Sequence, residues 1–81
     1  MFVGIKMPKL SEMSDDYKII KIRRKVGDQA VKGEIFMDVE TEDKAAMEVA
    51  FYTTGVITEL NVKEGDIVRG DALLGVINEP D

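Results

Sequence analysis

One lysine in this chain sits where a primary amine could do chemistry. Lys44 lies in the run Val39-Glu40-Thr41-Glu42-Asp43-Lys44-Ala45, and none of the seven other lysines shares that setting. A strand-like segment ends at Thr41 and another begins at Ala45, so the lysine belongs to a short acidic turn. Two uses of such an amine differ in what they demand. A Schiff-base nucleophile needs a neutral amine, which burial or a cationic neighbour supplies. Here Glu42 and Asp43 flank a lysine expected in solvent, and neither burial nor a cationic neighbour is in view, so intrinsic catalysis by Lys44 is rejected. A point of covalent attachment needs less. The modifying enzyme brings its own activated group and base, and the substrate need only present one lysine at a protruding, fixed position. A hairpin tip meets that need, because the flanking ladders fix it and leave the side chain in water. Taken alone, an Asp-Lys turn is weak evidence, and an ordinary solvated turn is the commoner reading.

The rest of the composition removes competing chemistry. The 81 residues include no cysteine and no histidine. Disulfides and thiolate metal sites are excluded, and the commonest metal ligand and general base are missing. No calcium-loop pattern is present. The net charge of −5 disfavours nucleic acid and favours basic protein surfaces as partners. No apolar run is long enough to span a membrane, and the N-terminal residues match neither a secretory signal nor an arginine-rich transit segment. The expectation is a cytoplasmic carrier or binding domain, not a free-standing enzyme.

The elements that must position Lys44 follow from period-two alternation. Ile20, Ile22 and Val26 are expected on one face, opposite Lys21, Arg23 and Lys25. Ile35, Met37 and Val39 alternate with Phe36, Asp38 and Glu40. Met47, Val49 and Phe51 alternate with Glu48, Ala50 and Tyr52. Val56, Leu60 and Val62 are assigned to one face, and Ala72-Leu73-Leu74 leads into Val76-Ile77. Turn chemistry at Gly27-Asp28, Lys32-Gly33, Thr54-Gly55, Gly65-Asp66 and Arg69-Gly70 separates these runs. Short strands with regular glycine turns describe an all-β sandwich or barrel. The basic run Lys21–Lys25 is expected on an edge strand. Its side chains are read first as a solvated strand face, with discouragement of intermolecular pairing as the second reading.

The chain also repeats itself. Val26-Gly27-Asp28-Gln29-Ala30-Val31-Lys32-Gly33-Glu34 parallels Glu64-Gly65-Asp66-Ile67-Val68-Arg69-Gly70-Asp71, with one extra residue in the first copy. An apolar strand follows each copy. Two such units would bury a shared core that neither could form alone. A two-fold relation would make the Lys44 turn equivalent to the region of the chain ends and place the two at opposite ends of the domain. That position strengthens the attachment reading.

These motifs resemble a lipoyl domain of the 2-oxo acid dehydrogenase complexes, a biotinyl/lipoyl attachment family. Met7-Pro8-Lys9-Leu10-Ser11-Glu12-Met13 resembles the family's opening strand and loop. Val26-Gly27-Asp28, Gly55-Val56-Ile57 and Glu64-Gly65-Asp66 follow at the expected separations. Val39-Glu40-Thr41 with Asp43-Lys44-Ala45 resembles the attachment motif Glu-Thr-Asp-Lys-Ala. The resemblance implies a flattened barrel of two four-stranded antiparallel sheets with quasi-two-fold symmetry. It implies one lipoyl-like domain over residues 1–81, the N-terminal part of a larger multidomain chain. It implies lipoic acid joined to Lys44 by an amide, with Glu42, Asp43 and Ala45 as recognition flanks. The implied partners are a lipoate ligase or lipoyl transferase, a thiamin-dependent 2-oxo acid decarboxylase, an acyltransferase core and dihydrolipoamide dehydrogenase. The loop residues Glu12, Met13 and Ser14 are expected to abut the attachment turn and help choose the decarboxylase.

Two positions depart from the pattern. Glu42 is an extra residue between Glu-Thr and Asp-Lys-Ala, and turn length sets hairpin type and register. Tyr17 stands where a glycine is common and is read as packing against the core near the loop after Leu10, with a specificity contact as the alternative. Two other readings use the same fold. A biotinyl domain usually places its lysine between methionines, whereas Lys44 lies between Asp43 and Ala45. An unmodified lipoyl-like module of an adaptor protein would leave the lysine without a role. The lipoylated carrier of glycine cleavage is longer and bears helices.

Overall fold

The computed structural model describes residues 1–80 as eight antiparallel strands in two four-stranded sheets. The strands are β1 (Phe2–Lys6), β2 (Asp16–Ile22), β3 (Gln29–Ala30), β4 (Ile35–Thr41), β5 (Ala46–Ala50), β6 (Gly55–Leu60), β7 (Ile67–Arg69) and β8 (Leu73–Asn78). One sheet runs β1-β8-β6-β3 and the other β5-β4-β2-β7. This is the two-sheet architecture that the resemblance implies. The domain measures 40 × 20 × 18 Å along its principal axes.

The inward faces meet in one core, which includes Ile5, Met7, Tyr17, Ile19, Phe36, Met37, Val39, Val49, Phe51, Ile57, Leu74 and Ile77. Burying each of these larger side chains contributes about 1.5–3 kcal/mol. Phe36 and Phe51 stack with ring centroids 4.7 Å apart, which ties β4 to the end of β5.

Simple alternation misplaces several of these residues because the ladders are bulged. Between β2 and β4 the register shifts at Ile19/Lys21, and between β6 and β8 it shifts at Ile57/Glu59. As a result Ile19 and Ile57 fill the core, whereas Ile20 and Val56 are half exposed and Val26 lies outside. The β4–β5 ladder slips between Ile35 and Met37, and the β1–β8 ladder opposite Leu74. Phe36 and Met37 are therefore both buried, as are Leu74 and Gly75. A bulge puts two residues against one, so consecutive side chains can share a face. The basic run does not form an edge strand. β2 is interior, flanked by β4 and β7, and beyond the short β7 the Ile22 N–H donates to the Glu64 carboxylate at 2.9 Å.

The segments β2–β4 and β6–β8 correspond by a constant step of 38 residues in the chain. Gly27 N–H donates to the Ile57 carbonyl, and Gly65 N–H to the Ile19 carbonyl. Asp28 accepts from Lys25 N–H at 2.9 Å and Asp66 from Lys63 N–H at 3.0 Å. The same step relates bulged Phe36 to bulged Leu74. It continues through the next turn, so the repeat contains no extra residue. Glu34 N–H closes its turn on Val31, and Ala72 N–H closes the matching turn on Arg69. Gly33 therefore corresponds to Asp71 and not to Gly70. Both Gly33 and Asp71 have positive φ, 93° and 70°. Asp71 occupies a left-handed site that glycine fills in the other half. Asp71→Gly is expected to stabilise the domain by about 0.5 kcal/mol, because aspartate tolerates this conformation better than most residues. Asp71→Ala should destabilise it, and chemical denaturation of the pair measures the contrast.

β4 fixes where the Lys44 turn lies. Its first residues adjoin Phe51, and the chain beyond Phe51 reaches the termini. Tyr52 Oη donates to the Gly4 carbonyl, and Thr53 Oγ1 to the Glu79 carboxylate. Glu79 N–H in turn donates to the Met1 carbonyl at 2.7 Å. Met1 and Glu79 thus share one end of the domain. Lys44 lies past the other end of the seven-residue β4, about 20 Å away at strand rise.

Candidate functional site

The Lys44 turn is a three-residue hairpin loop built on the ends of β4 and β5. Thr41 N–H donates to the Ala45 carbonyl at 2.9 Å, and Lys44 N–H donates back to the Thr41 carbonyl at 3.0 Å. Glu42 and Asp43 occupy the middle of the turn, and Lys44 closes it with φ of 71°. A four-residue turn whose last residue is left-handed, closed by the next residue, is a standard three-residue hairpin. That left-handed place is ordinarily glycine's. Glu42 therefore lengthens the loop without breaking the ladder, since Glu40 still faces Ala46.

Thr41 is the root of the turn. It is 4% exposed, accepts from Ala45 N–H at 3.0 Å and donates to the Asp43 carboxylate. One hydroxyl thus holds both the central acid and the residue after the lysine. Across the ladder Thr41 faces Tyr17, which is fully buried. The Tyr17 hydroxyl accepts from Ser11 N–H at 3.0 Å and donates to the Ser14 carbonyl at 3.1 Å. Tyr17 packs in the core as expected, and it also pins the loop after β1. That loop abuts the turn: Glu42 N–H donates to Ser14 Oγ at 3.0 Å.

Lys44 itself projects outward. Its side chain is 79% exposed, and Nζ lies 3.6 Å from Glu40 Oε1. An exposed pair of this length contributes little and does not sequester the amine. Beside it a shallow depression is walled by Asp16, Lys18, Glu40 and the exposed Ile67. The structure thus brings Glu42, Asp43, Lys44 and Ala45 into one protruding loop. Asp43 faces inward to Thr41, while Glu42 faces the neighbouring loop. Glu40, Thr41 and Ile67 complete the setting. Of these, Thr41 carried a signal in the sequence as the last strand residue before the turn, whereas Ile67 comes from the other half of the repeat and carried none. Among the described residues, no general acid and base converge on the amine. The arrangement can present a lysine for acylation and hold it away from the body of the domain.

Comparison with known proteins agrees with this geometry. A family model for biotin/lipoyl domains, described as "Biotin-requiring enzyme", matches residues 3–77. The dihydrolipoyllysine-residue succinyltransferase component of the 2-oxoglutarate dehydrogenase complex from Azotobacter vinelandii is 37% identical over 79 residues, which cover 98% of this chain and 20% of that protein. The corresponding component from Buchnera aphidicola subsp. Schizaphis graminum is 35% identical over 77 residues, covering 95% of this chain and 19% of that protein. The chain therefore spans about a fifth of the length of these curated relatives. The solution structure of the lipoyl domain of the Azotobacter vinelandii 2-oxoglutarate dehydrogenase complex superposes with a TM-score of 0.75 and 34% identity, over 98% of this chain and 99% of that one. With an exposed lysine at the tip of a hairpin, two symmetric sheets and a family match over most of its length, the chain belongs to the biotin/lipoyl attachment family and is a non-catalytic carrier domain.

Proposed function

We propose that Lys44 carries lipoic acid as an amide, and that the domain is the swinging-arm carrier of a 2-oxo acid dehydrogenase complex. The observation that carries this reading is the Lys44 loop: one highly exposed amine, closed into a rigid turn, at the end of the domain away from Met1 and Glu79. The residues fit the group. Nζ has open solvent around it, and Asp43 and Ala45 are held by Thr41 and not by Lys44. When bound, lipoic acid supplies a dithiolane that takes up an acyl group and two electrons. The protein's contribution is positional. The ladder fixes the lysine's backbone, and the termini at the opposite end tether the domain, which raises the local concentration of the arm at each active site.

The relatives' names favour the 2-oxoglutarate complex as the one served. In that role the domain forms one part of a longer acyltransferase component in the cytoplasm. It would meet a lipoate ligase or lipoyl transferase, a thiamin-dependent decarboxylase, the acyltransferase core and dihydrolipoamide dehydrogenase. Asp43, Ala45 and Glu42 would frame the lysine for these proteins. Intact-mass measurement tests the proposal. Incubation with a lipoate ligase, lipoate and ATP is expected to add one lipoyl group, mapped by peptide analysis to Lys44. Addition of biotin by a biotin ligase instead, or no addition while a control lipoyl domain is modified, would overturn it.

A further inference from the structure

Glu42 is the residue that departs from the attachment motif, and its surroundings define what it does. Its carboxylate accepts from Asp15 N–H at 3.2 Å. Its own N–H donates to Ser14 Oγ at 3.0 Å. Ser14 is 2% exposed, so this bond lies at the buried base of the loop. Two adjacent loop residues are thus held by one turn residue that is 27 and 28 positions away in the chain. Tyr17 holds the same loop from the core side, through Ser11 and Ser14. Asp43 and Lys44 make their side-chain contacts within the hairpin, to Thr41 and Glu40.

We propose that Glu42 is a positioning residue: a clasp that locks the Ser11–Asp15 loop to the Lys44 hairpin, so that a protein approaching the lysine meets loop and turn as one rigid surface. Without the Glu42 carboxylate, the Asp15 N–H loses its partner across to the hairpin. The loop is then tied by the Gly70 N–H on the Asp15 carbonyl at 3.2 Å, by the backbone bond to Ser14 Oγ and by Tyr17. A visiting protein would have to order Asp15 against the turn as it bound. This cost appears in KM, because the lysine's own chemistry is untouched. The extra residue is then a working part of the site and not a handicap to modification. Glu42→Gln keeps an acceptor oxygen for Asp15 N–H, whereas Glu42→Ala removes it.

The inference rests on the lipoyl-carrier reading, and its test separates the two. Amide hydrogen exchange at Asp15 is read on the unmodified domain, and KM and kcat are read with a lipoate ligase, lipoate and ATP. Glu42→Ala is expected to lose protection at Asp15 and to raise KM about fivefold at unchanged kcat. Glu42→Gln should recover most of both. Ser14→Ala combined with Glu42→Ala should cost less than the two separate effects multiplied, because both bonds serve one clasp. Wild-type exchange at Asp15 in Glu42→Ala, or wild-type KM in that variant, would overturn the proposal. So would a Glu42→Gln domain that protects Asp15 yet fails like Glu42→Ala, since the ligase would then be sensing the charge. If the wild-type domain takes up no lipoyl group, the carrier reading fails, and the exchange measurement still decides the clasp.

Discussion

Arginine, alanine or glycine at position 44 is expected to abolish lipoyl attachment completely, and glycine alone to make the domain more stable. Loss of attachment follows from chemistry. No other lysine lies in the hairpin, and guanidinium does not form the amide. The stability effect follows from the backbone. Lys44 has φ of 71°, where a Cβ is crowded against the following carbonyl. Glycine has no Cβ, so Lys44→Gly should gain about 1 kcal/mol, or about 5 °C in Tm for a domain of this size. Alanine keeps the crowding and should leave Tm within a degree or two. Arginine keeps both the crowding and a cation opposite Glu40, and should also be neutral. Thermal unfolding of the three variants beside intact mass checks both halves. Equal Tm for glycine and alanine would refute the strain, and a lipoyl group on Lys44→Arg would refute the attachment site. If both hold, the hairpin retains a residue its own backbone disfavours, which makes sense only if the amine is used.

The second large effect lies at the other end of the molecule. Gly55→Ala is expected to destabilise the domain by about 3 kcal/mol, lowering Tm by about 15 °C. A Cβ at Gly55 would sit 2.5 Å from the Asn78 carbonyl oxygen, 2.9 Å from its carbon and 2.6 Å from Ile77 Cγ2. Two of those atoms are backbone, so β6 and β8 must part to admit it. The total stability of an 81-residue domain is about 4–12 kcal/mol, so this is a large share. Gly75 meets the same obstacle at the Glu59 carbonyl, and Gly75→Ala should behave alike. Gly27→Ala makes a useful contrast, because no atom lies within 4 Å of its Cβ and only its φ of 95° opposes the change. A drop in denaturation midpoint at constant slope would mark a pure stability effect. An unchanged midpoint for Gly55→Ala would mean that the β6–β8 pair can open without cost.

These effects show what was legible in the chain and what was hidden. Turn chemistry was plain: Gly27-Asp28 and Gly65-Asp66 each supply a positive φ and a carboxylate that caps its own turn. The acidic loop and its lysine were equally plain. Face assignment failed at Ile19, Ile57 and Phe36, because each lies at a bulge and period-two counting slips there by one. The repeat was visible but misaligned. The likeness of Val31-Lys32-Gly33 to Val68-Arg69-Gly70 hid that the left-handed site passes to Asp71. Glu42 was noticed as an extra residue, yet its role depends on Ser14 and Asp15, and no local pattern reports a bond across 27 residues. Tyr17 was read as packing, and only the fold reveals that its hydroxyl also anchors a loop.

The pairing of Met1 and Phe2 with Asn78 and Glu79 has a mechanical meaning. Antiparallel neighbours that end side by side separate like a zipper when pulled by those ends. Tension applied there loads one rung at a time, first Phe2–Asn78, then Val3–Ile77. The hairpin bearing Lys44 belongs to the other sheet and hangs off the far side of this line of force. Pulling those two ends apart would therefore peel β1 from β8 before stress reaches the hairpin that bears Lys44.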